Sequence, residues 1–138
     1  MIDVAPDYQG SGVVRYAPQP DGEPDPGEIV WTWVAFEDDP ELGKDRPVLL
    51  VGVDHEWLLG LMMTTKDHVH GSEVDERTQR DYVDVGAGPW DRKRRPSEVR
   101  VDRILRIARQ RIRREGAVLS AEKFELVAAA LRERHGWQ

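Results

Sequence analysis

VLLVGV (48–53) and WLLGLMMT (57–64), parted only by Asp54-His55-Glu56, are the stretch on which the fold turns. Two apolar runs either side of a short polar break read as a β-hairpin. Upstream, EIVWTWVAF (28–36) is crowded with β-branched and aromatic residues and apolar on both faces, as in a central strand buried on two sides. Between them DDPELGKDRP (38–47) is turn chemistry, and Pro47 biases Arg46 toward an extended conformation. Residues 1–26, rich in Asp, Pro and Gly, read as a flexible or loosely docked extension with a short strand at Val13–Tyr16.

Downstream, residues 66–81 form a polar stretch without apolar period, a length that marks a functional or disordered loop. A weak strand is expected at Tyr82–Val85, followed by the basic, turn-rich GAGPWDRKRRP. EVRVDRILRIA (98–108) reads as strand, break, strand, with a helix over Arg103–Arg113 as the alternative. Ser120 is a natural N-cap, Glu122 suits the first turn, and Phe124, Val127, Ala128 and Leu131 make one apolar stripe. Gly136 can end that helix after Arg132, Arg134 and His135. The expected fold is mainly β with one helix: a small barrel of five or six strands (residues 27–138), closed by helix 120–135. Its apolar stripe should meet strand residues such as Val48 or Leu59, with Trp31 and Trp33 in the core.

With 138 residues the chain is one domain's worth, and it contains no cysteine. Thiol catalysis, cysteine-ligated metals and a disulfide framework are thereby excluded, which fits a reducing cytoplasm. The apolar runs fall short of the ~20 residues that cross a bilayer, and the acidic start is no signal peptide. Net charge is −6, but unevenly spread: residues 1–90 hold 19 acidic and 6 basic residues, residues 91–138 hold 7 and 14. The basic part is either a polyanion-facing surface or a solvated face that neutralises the acidic half.

GEIVWTWVAFEDDPELGKDRPVLLVG followed by LLGLMMTTKDH resembles the PemK/MazF family of toxin endoribonucleases. Gly27, Glu28, Trp31, Arg46, Pro47 and Thr64 stand at the positions of its first motifs. SEVRVDRILRI resembles the third block, with Asp102 at the acidic position and Arg103 where Gln is common. EGAVLSAEKFELVAAAL resembles the closing turn and helix, so the likeness is collinear over about residues 27–135. It implies an SH3-like barrel, a homodimer, and cleavage of single-stranded RNA without metal or other cofactor. The 2′-hydroxyl would attack the adjacent phosphorus, leaving a cyclic phosphate and a 5′-hydroxyl. It also implies a cognate antitoxin as partner, no membrane partner, and Arg46, Thr64 and Glu41 as catalytic residues.

Chemistry alone supports part of this assignment. In-line phosphoryl transfer needs charge neutralised on equatorial oxygens, for which arginine offers a planar fork and threonine a hydroxyl donor. A free guanidinium, with a pKa above ~12, is a poor base, so charge stabilisation is the role that suits Arg46. Pairing with Glu41 or Asp45 is its alternative. Lys66, His68, Arg92, Lys93, Arg94 and Arg95 are candidate RNA contacts, with Trp90 a base-stacking surface or a cover for the barrel rim. His68 and His70 lie on the long polar loop, as proton carriers or solvated side chains; His55 and His135 fit a hairpin tip and a helix end. No histidine and carboxylate spacing matches a metal-ligand pattern. The other reading of the whole chain is a non-catalytic member of the same fold, binding nucleic acid or protein, such as a gyrase-directed or regulatory module.

Overall fold

The computed structural model describes residues 5–65 and 81–138. In chain order the strands are β1 (Glu28–Ala35), β2 (Gly43–Asp54), β3 (Trp57–Thr65), β4 (Tyr82–Gly86), β5 (Ser97–Arg100), β6 (Leu105–Ala108) and β7 (Ile112–Val118). A single 3-10 turn (Arg109–Arg111) joins β6 to β7, and helix α1 (Ala121–His135) closes the sequence. The sheet order is β4-β5-β3-β2-β1-β7, with β6 also on β3, and every pairing is antiparallel. This is the mainly β, SH3-like barrel with a C-terminal helix.

β3 is the hub. One edge takes β2, from Val48 opposite Met62 to Asp54 opposite Trp57. The other edge takes β6 along its first half, Trp57 to Gly60, and β5 along its last three residues, Met63 to Thr65. β5 and β6 therefore lie end to end on one edge of β3, as the strand-break-strand reading requires, and the helical alternative shrinks to the single turn at 109–111. β2 begins at Gly43, five residues before the apolar run, because Gly43 to Pro47 extend the pairing with β1. β7 was not foreseen: IRREGAV carries too much charge for an apolar run, and its partner β1 lies some eighty residues upstream.

Consecutive apolar residues in β2 and β3 are explained by burial on both faces. Val48 and Leu50 join Val30, Val34, Leu58, Met62, Leu105 and Ile107 in a small cluster. Leu49 and Val51 face a larger one with Leu59, Leu61 and Met63, and α1 seals it with Phe124, Val127, Ala128 and Leu131. Leu59 is thus on the helix side as expected, whereas Val48 lies on the opposite face because adjacent strand residues point oppositely. Gly60 lets the smaller cluster close: a Cβ there would fall 2.4 Å from a methyl of Val48. Trp31 and Trp33 are half-buried and outside both clusters, which corrects their expected place in the core.

The helix ends as its sequence dictates. Ser120 accepts a hydrogen bond from the Lys123 N–H (3.3 Å), and Gly136 takes the left-handed conformation (φ 70°) and donates to the Arg132 carbonyl. Residues 5–27 form no strand, so the short one expected at Val13–Tyr16 is absent, but the segment is anchored. Val14 N–H donates to the Gln138 carbonyl (3.1 Å), Gln138 N–H to Gly12 (3.0 Å), and Arg15 N–H to Val51 (2.9 Å). Tyr8 meets Trp137 edge-on at 5.6 Å, and the Tyr16 hydroxyl donates to the Leu119 carbonyl (2.8 Å). Among the described residues no helix is long and apolar enough to cross a membrane.

The basic loop between β4 and β5 is organised by one carboxylate. Asp91 is buried and accepts from the Arg95 N–H (2.9 Å), Arg95 Nε (2.8 Å), Arg95 Nη2 (3.2 Å) and Lys93 N–H (3.4 Å). Arg95's hydrogen bond is the largest influence on this carboxyl and holds its pKa down at about 2, against opposing burial.

Two stability measurements check this packing. Leu131→Ala should lose ~2–5 kcal/mol in urea unfolding, whereas the exposed Leu126→Ala should change stability by no more than ~0.5 kcal/mol. Asp91→Asn should lower the melting temperature at neutral pH. Because Asp91's folded pKa is depressed, its contribution is fully present above the unfolded value of ~3.9. The gap between parent and Asp91→Asn should therefore close as pH falls through about 2; a gap that persists there would refute the role given to this ionised carboxylate.

Candidate active site

β2 and β3 part company at one point. They are paired at Val48 and Met62; from Met63 onward β3 turns to β5, while β2 from Pro47 back to Gly43 stays on β1. Pro47, which has no N–H to donate, stands where the shared ladder stops. The wedge between the diverging ends holds about 500 Å3 and is lined by residues 44–47 and 63–65, with Trp31, Trp90, Asp91, Arg95 and Ser97. Arg46 and Thr64 are both among its lining residues. Continued one pair past Val48–Met62 on the same face, the register would set Arg46 opposite Thr64.

Arg46 also reaches a second space, a cleft of about 680 Å3 lined by Phe36, Glu37, Asp38, Met62, Arg100 and Arg103. Three guanidinium groups thus border one cleft, in different circumstances. Arg100 is gripped by Asp102 at two points (Nε–Oδ1 2.6 Å, Nη2–Oδ2 2.9 Å) and touches Glu37 Oε1 through Nη2 (2.7 Å). Arg103, buried, pairs with Asp7 of the N-terminal segment (2.7 Å). No described carboxylate pairs with Arg46; Asp45, one alternative partner, is bound to Arg113 at 3.3 Å.

The electrostatics follow from this arrangement. Burial lowers the Arg46 pKa from the ordinary arginine value; Tyr82 opposes the shift, while Arg103 and Arg100 add to it. Hydrogen bonding to Asp102, ahead of the opposing effect of burial, raises the Arg100 pKa. Tyr82 is opposite Arg100 in the β4–β5 ladder, and its phenol is pushed up by burial against the pull of Arg100. A half-buried, uncompensated guanidinium beside two further arginines is an arrangement for binding an oxyanion.

Other expected site residues are placed differently. Glu41 is exposed in the β1–β2 turn, where its N–H donates to Asp39 (3.3 Å), and it lines neither space. The carboxylates that line Arg46's cleft are Glu37 and Asp38, four and three residues before Glu41. Trp90 is buried, its Nε1 donating to Ser97 Oγ (3.1 Å) and its carbonyl accepting from Trp31 Nε1 (3.0 Å). It is part of the larger apolar cluster and presents no open ring face, which corrects the stacking role. Arg92, Lys93 and Arg94 are exposed along the loop that Asp91 organises, and Arg95 folds back onto Asp91. Lys66, His68 and His70 lie outside the described residues. His55 is exposed at the hairpin tip, and a His135 ring nitrogen sits 2.7 Å from the Val101 carbonyl. Arg100, Arg103, Tyr82 and Glu37 were missed as site residues. The first two lay in the basic run, and only the break after β5 gives them different roles.

Comparison with known proteins agrees with this architecture. No curated protein is close enough in sequence to count as a match. Among solved structures, an endoribonuclease in complex with its cognate antitoxin from a mycobacterial species superposes with a TM-score of 0.59 at 14% identity. The match covers 83% of this chain and 97% of that one. The Mycobacterium tuberculosis toxin MazF-mt6 superposes with a TM-score of 0.52 at 20% identity, over 80% of this chain and 98% of that one. At such identities the likeness is one of fold. The family model for PemK-like, MazF-like toxins of type II toxin–antitoxin systems matches residues 25–134, which include both strands of the wedge and all of its lining residues. The chain belongs to that toxin family.

Proposed function

We propose that the protein is an endoribonuclease toxin that cleaves single-stranded RNA in the wedge between β2 and β3, with Arg46 and Thr64 as the groups that meet the scissile phosphate. The observation that carries this reading is the half-buried Arg46, unpaired with any described carboxylate, lining one opening together with Thr64. The 2′-oxygen forms a bond to phosphorus as the bond to the 5′-oxygen breaks, giving a cyclic phosphate and a 5′-hydroxyl. Negative charge grows on the non-bridging oxygens, and a guanidinium already stripped of part of its water stabilises it more strongly than a solvated one. Thr64 offers its hydroxyl to a non-bridging oxygen. The exposed cations Arg92, Lys93 and Arg94 lie on the loop beside the wedge and suit the flanking backbone.

A toxin of this kind has to be restrained where RNA is made and translated, so we place the protein in the cytoplasm, as a homodimer with an antitoxin. An extended acidic and apolar segment suits the restraint: its carboxylates can take the phosphate positions at Arg46 and its apolar residues the walls of the wedge. The endoribonuclease relative was solved with its cognate antitoxin, which supports this partner class.

Purified protein incubated with a long single-stranded RNA in EDTA should leave 2′,3′-cyclic phosphate and 5′-hydroxyl ends. Thr64→Ala should slow cleavage ~10²-fold, and Arg46→Ala by at least that factor, the range seen when one transition-state donor is lost. Arg46→Lys should recover little, since charge is kept but the fork is lost. Glu41→Gln should cleave like the parent. Intact RNA with arrested growth that survives Arg46→Ala would replace this reading with a binding toxin.

A further inference from the structure

The three arginines of the second cleft differ in how firmly they are held. Asp102 is two residues from Arg100, grips it at two atoms, and is itself largely buried at 18% exposure. Burial, the largest single influence on the Asp102 carboxyl, pushes its pKa up. The hydrogen bond and charge of Arg100, with smaller help from a backbone N–H and Arg134, together bring it below the usual range. Glu37 comes from the exposed β1–β2 connection, touches Arg100 at Nη2, and has a side chain 54% exposed. The arginine end of this pair is only 19% exposed, but the Glu37 end is open to water, which screens it and lets it exchange. Removing Glu37 therefore leaves Arg100 still held by Asp102, in the lining of the cleft that Arg46 also borders.

We propose that Arg100 is a second phosphate-binding residue, for the phosphate next to the one at Arg46, and that Glu37 occupies its place until a polyanion displaces it. This rests on the RNA reading above and adds a specificity element to it. A chain with two neighbouring phosphates engages Arg46 and Arg100 together and gains enough to expel Glu37. A mononucleotide reaches only one of them and meets a carboxylate at the other. The cleft thereby favours polymer over the nucleotide pool, which carries the same phosphate chemistry. Asp102 acts as the positioning residue in this scheme, since it holds Arg100 through Nε and Nη2 while the second partner at Nη2 exchanges.

The test uses the full-length protein and a single-stranded oligonucleotide lacking 2′-hydroxyls, which binds without being cut. Glu37→Gln should tighten binding about two- to fivefold, the factor that a competing ion pair screened by water on its carboxylate side represents. A mononucleotide, which seats one phosphate at Arg46 and displaces no carboxylate, should gain less than the oligonucleotide does. In the Glu37→Gln background, Arg100→Gln should abolish the gain and reduce the salt slope of oligonucleotide binding by about 0.7, one phosphate contact on a single strand. Thermal melts of each variant separate these effects from loss of fold. Unchanged or weaker oligonucleotide binding by Glu37→Gln, with the parent binding well, would overturn the role of Glu37 and leave the function above standing. An unchanged salt slope in the Arg100 variant would overturn the second phosphate. No oligonucleotide binding by the parent would overturn both this inference and the reading it rests on.

Discussion

The pairing of Val48 with Met62, and its end one residue later, sets the geometry of everything around it. Up to that pair, β2 and β3 form one hairpin whose side chains alternate between two apolar clusters, and burial on both faces fixes the register. Beyond it each strand is claimed by a different neighbour, β2 by β1 and β3 by β5. An opening bounded by strand ends is more rigid than one bounded by loops, because the diverging backbones remain hydrogen-bonded on their outer edges. Arg46 and Thr64 need no dedicated scaffold: the same hydrophobic pattern that builds the core places them at the fork.

Charge is arranged by a different rule. The basic residues of the second half are not one continuous cationic face. Arg95, Arg100, Arg103, Arg106 and Arg113 are each met by a carboxylate, from Asp91, Asp102 and Glu37, Asp7, Asp54 and Asp45 respectively. The acidic first half supplies several of these partners, so much of the charge asymmetry is satisfied within the fold. Among the described residues at the cleft and on the adjacent loop, Arg46 and the exposed tip at Arg92 to Arg94 are left for an outside anion. The two readings of the charge distribution, internal neutralisation and polyanion recognition, thus describe different residues of one run.

The elements that could be read from sequence are those whose cause is local. The hairpin follows from two apolar runs and a polar break, and α1 from a serine cap, an apolar stripe and a terminal glycine. The wedge pair was legible because Arg46 and Thr64 belong to the same hairpin. β7 was not, since a heptapeptide with three consecutive charges becomes a strand only when the free edge of β1 is there to receive it. Glu37 was passed over for Glu41 because spacing along a turn says nothing of which carboxylate meets Arg100 across the sheet. Trp90 was ambiguous for a related reason: an indole suits a base or a core equally, and here it is buried, with its Nε1 donating to Ser97. The first residues carry no periodicity, and their attachment through carbonyls of Val51, Ile104 and Gln138 leaves no trace in side-chain pattern.

The late position of several partners along the chain has a consequence for synthesis. β1 cannot be covered on its second edge until residues 112–118 have been made, Asp7 waits for Arg103, and the Tyr16 hydroxyl waits for Leu119. Such contacts span about a hundred residues, so folding is slow to nucleate and completes only after residues 112–119 have been made. A nascent chain that stops short of residue 100 lacks Arg100 and Arg103 as well as β7, the strand that covers the second edge of β1. For a protein harmful to the cell that makes it, this ordering confines the finished cleft to finished molecules.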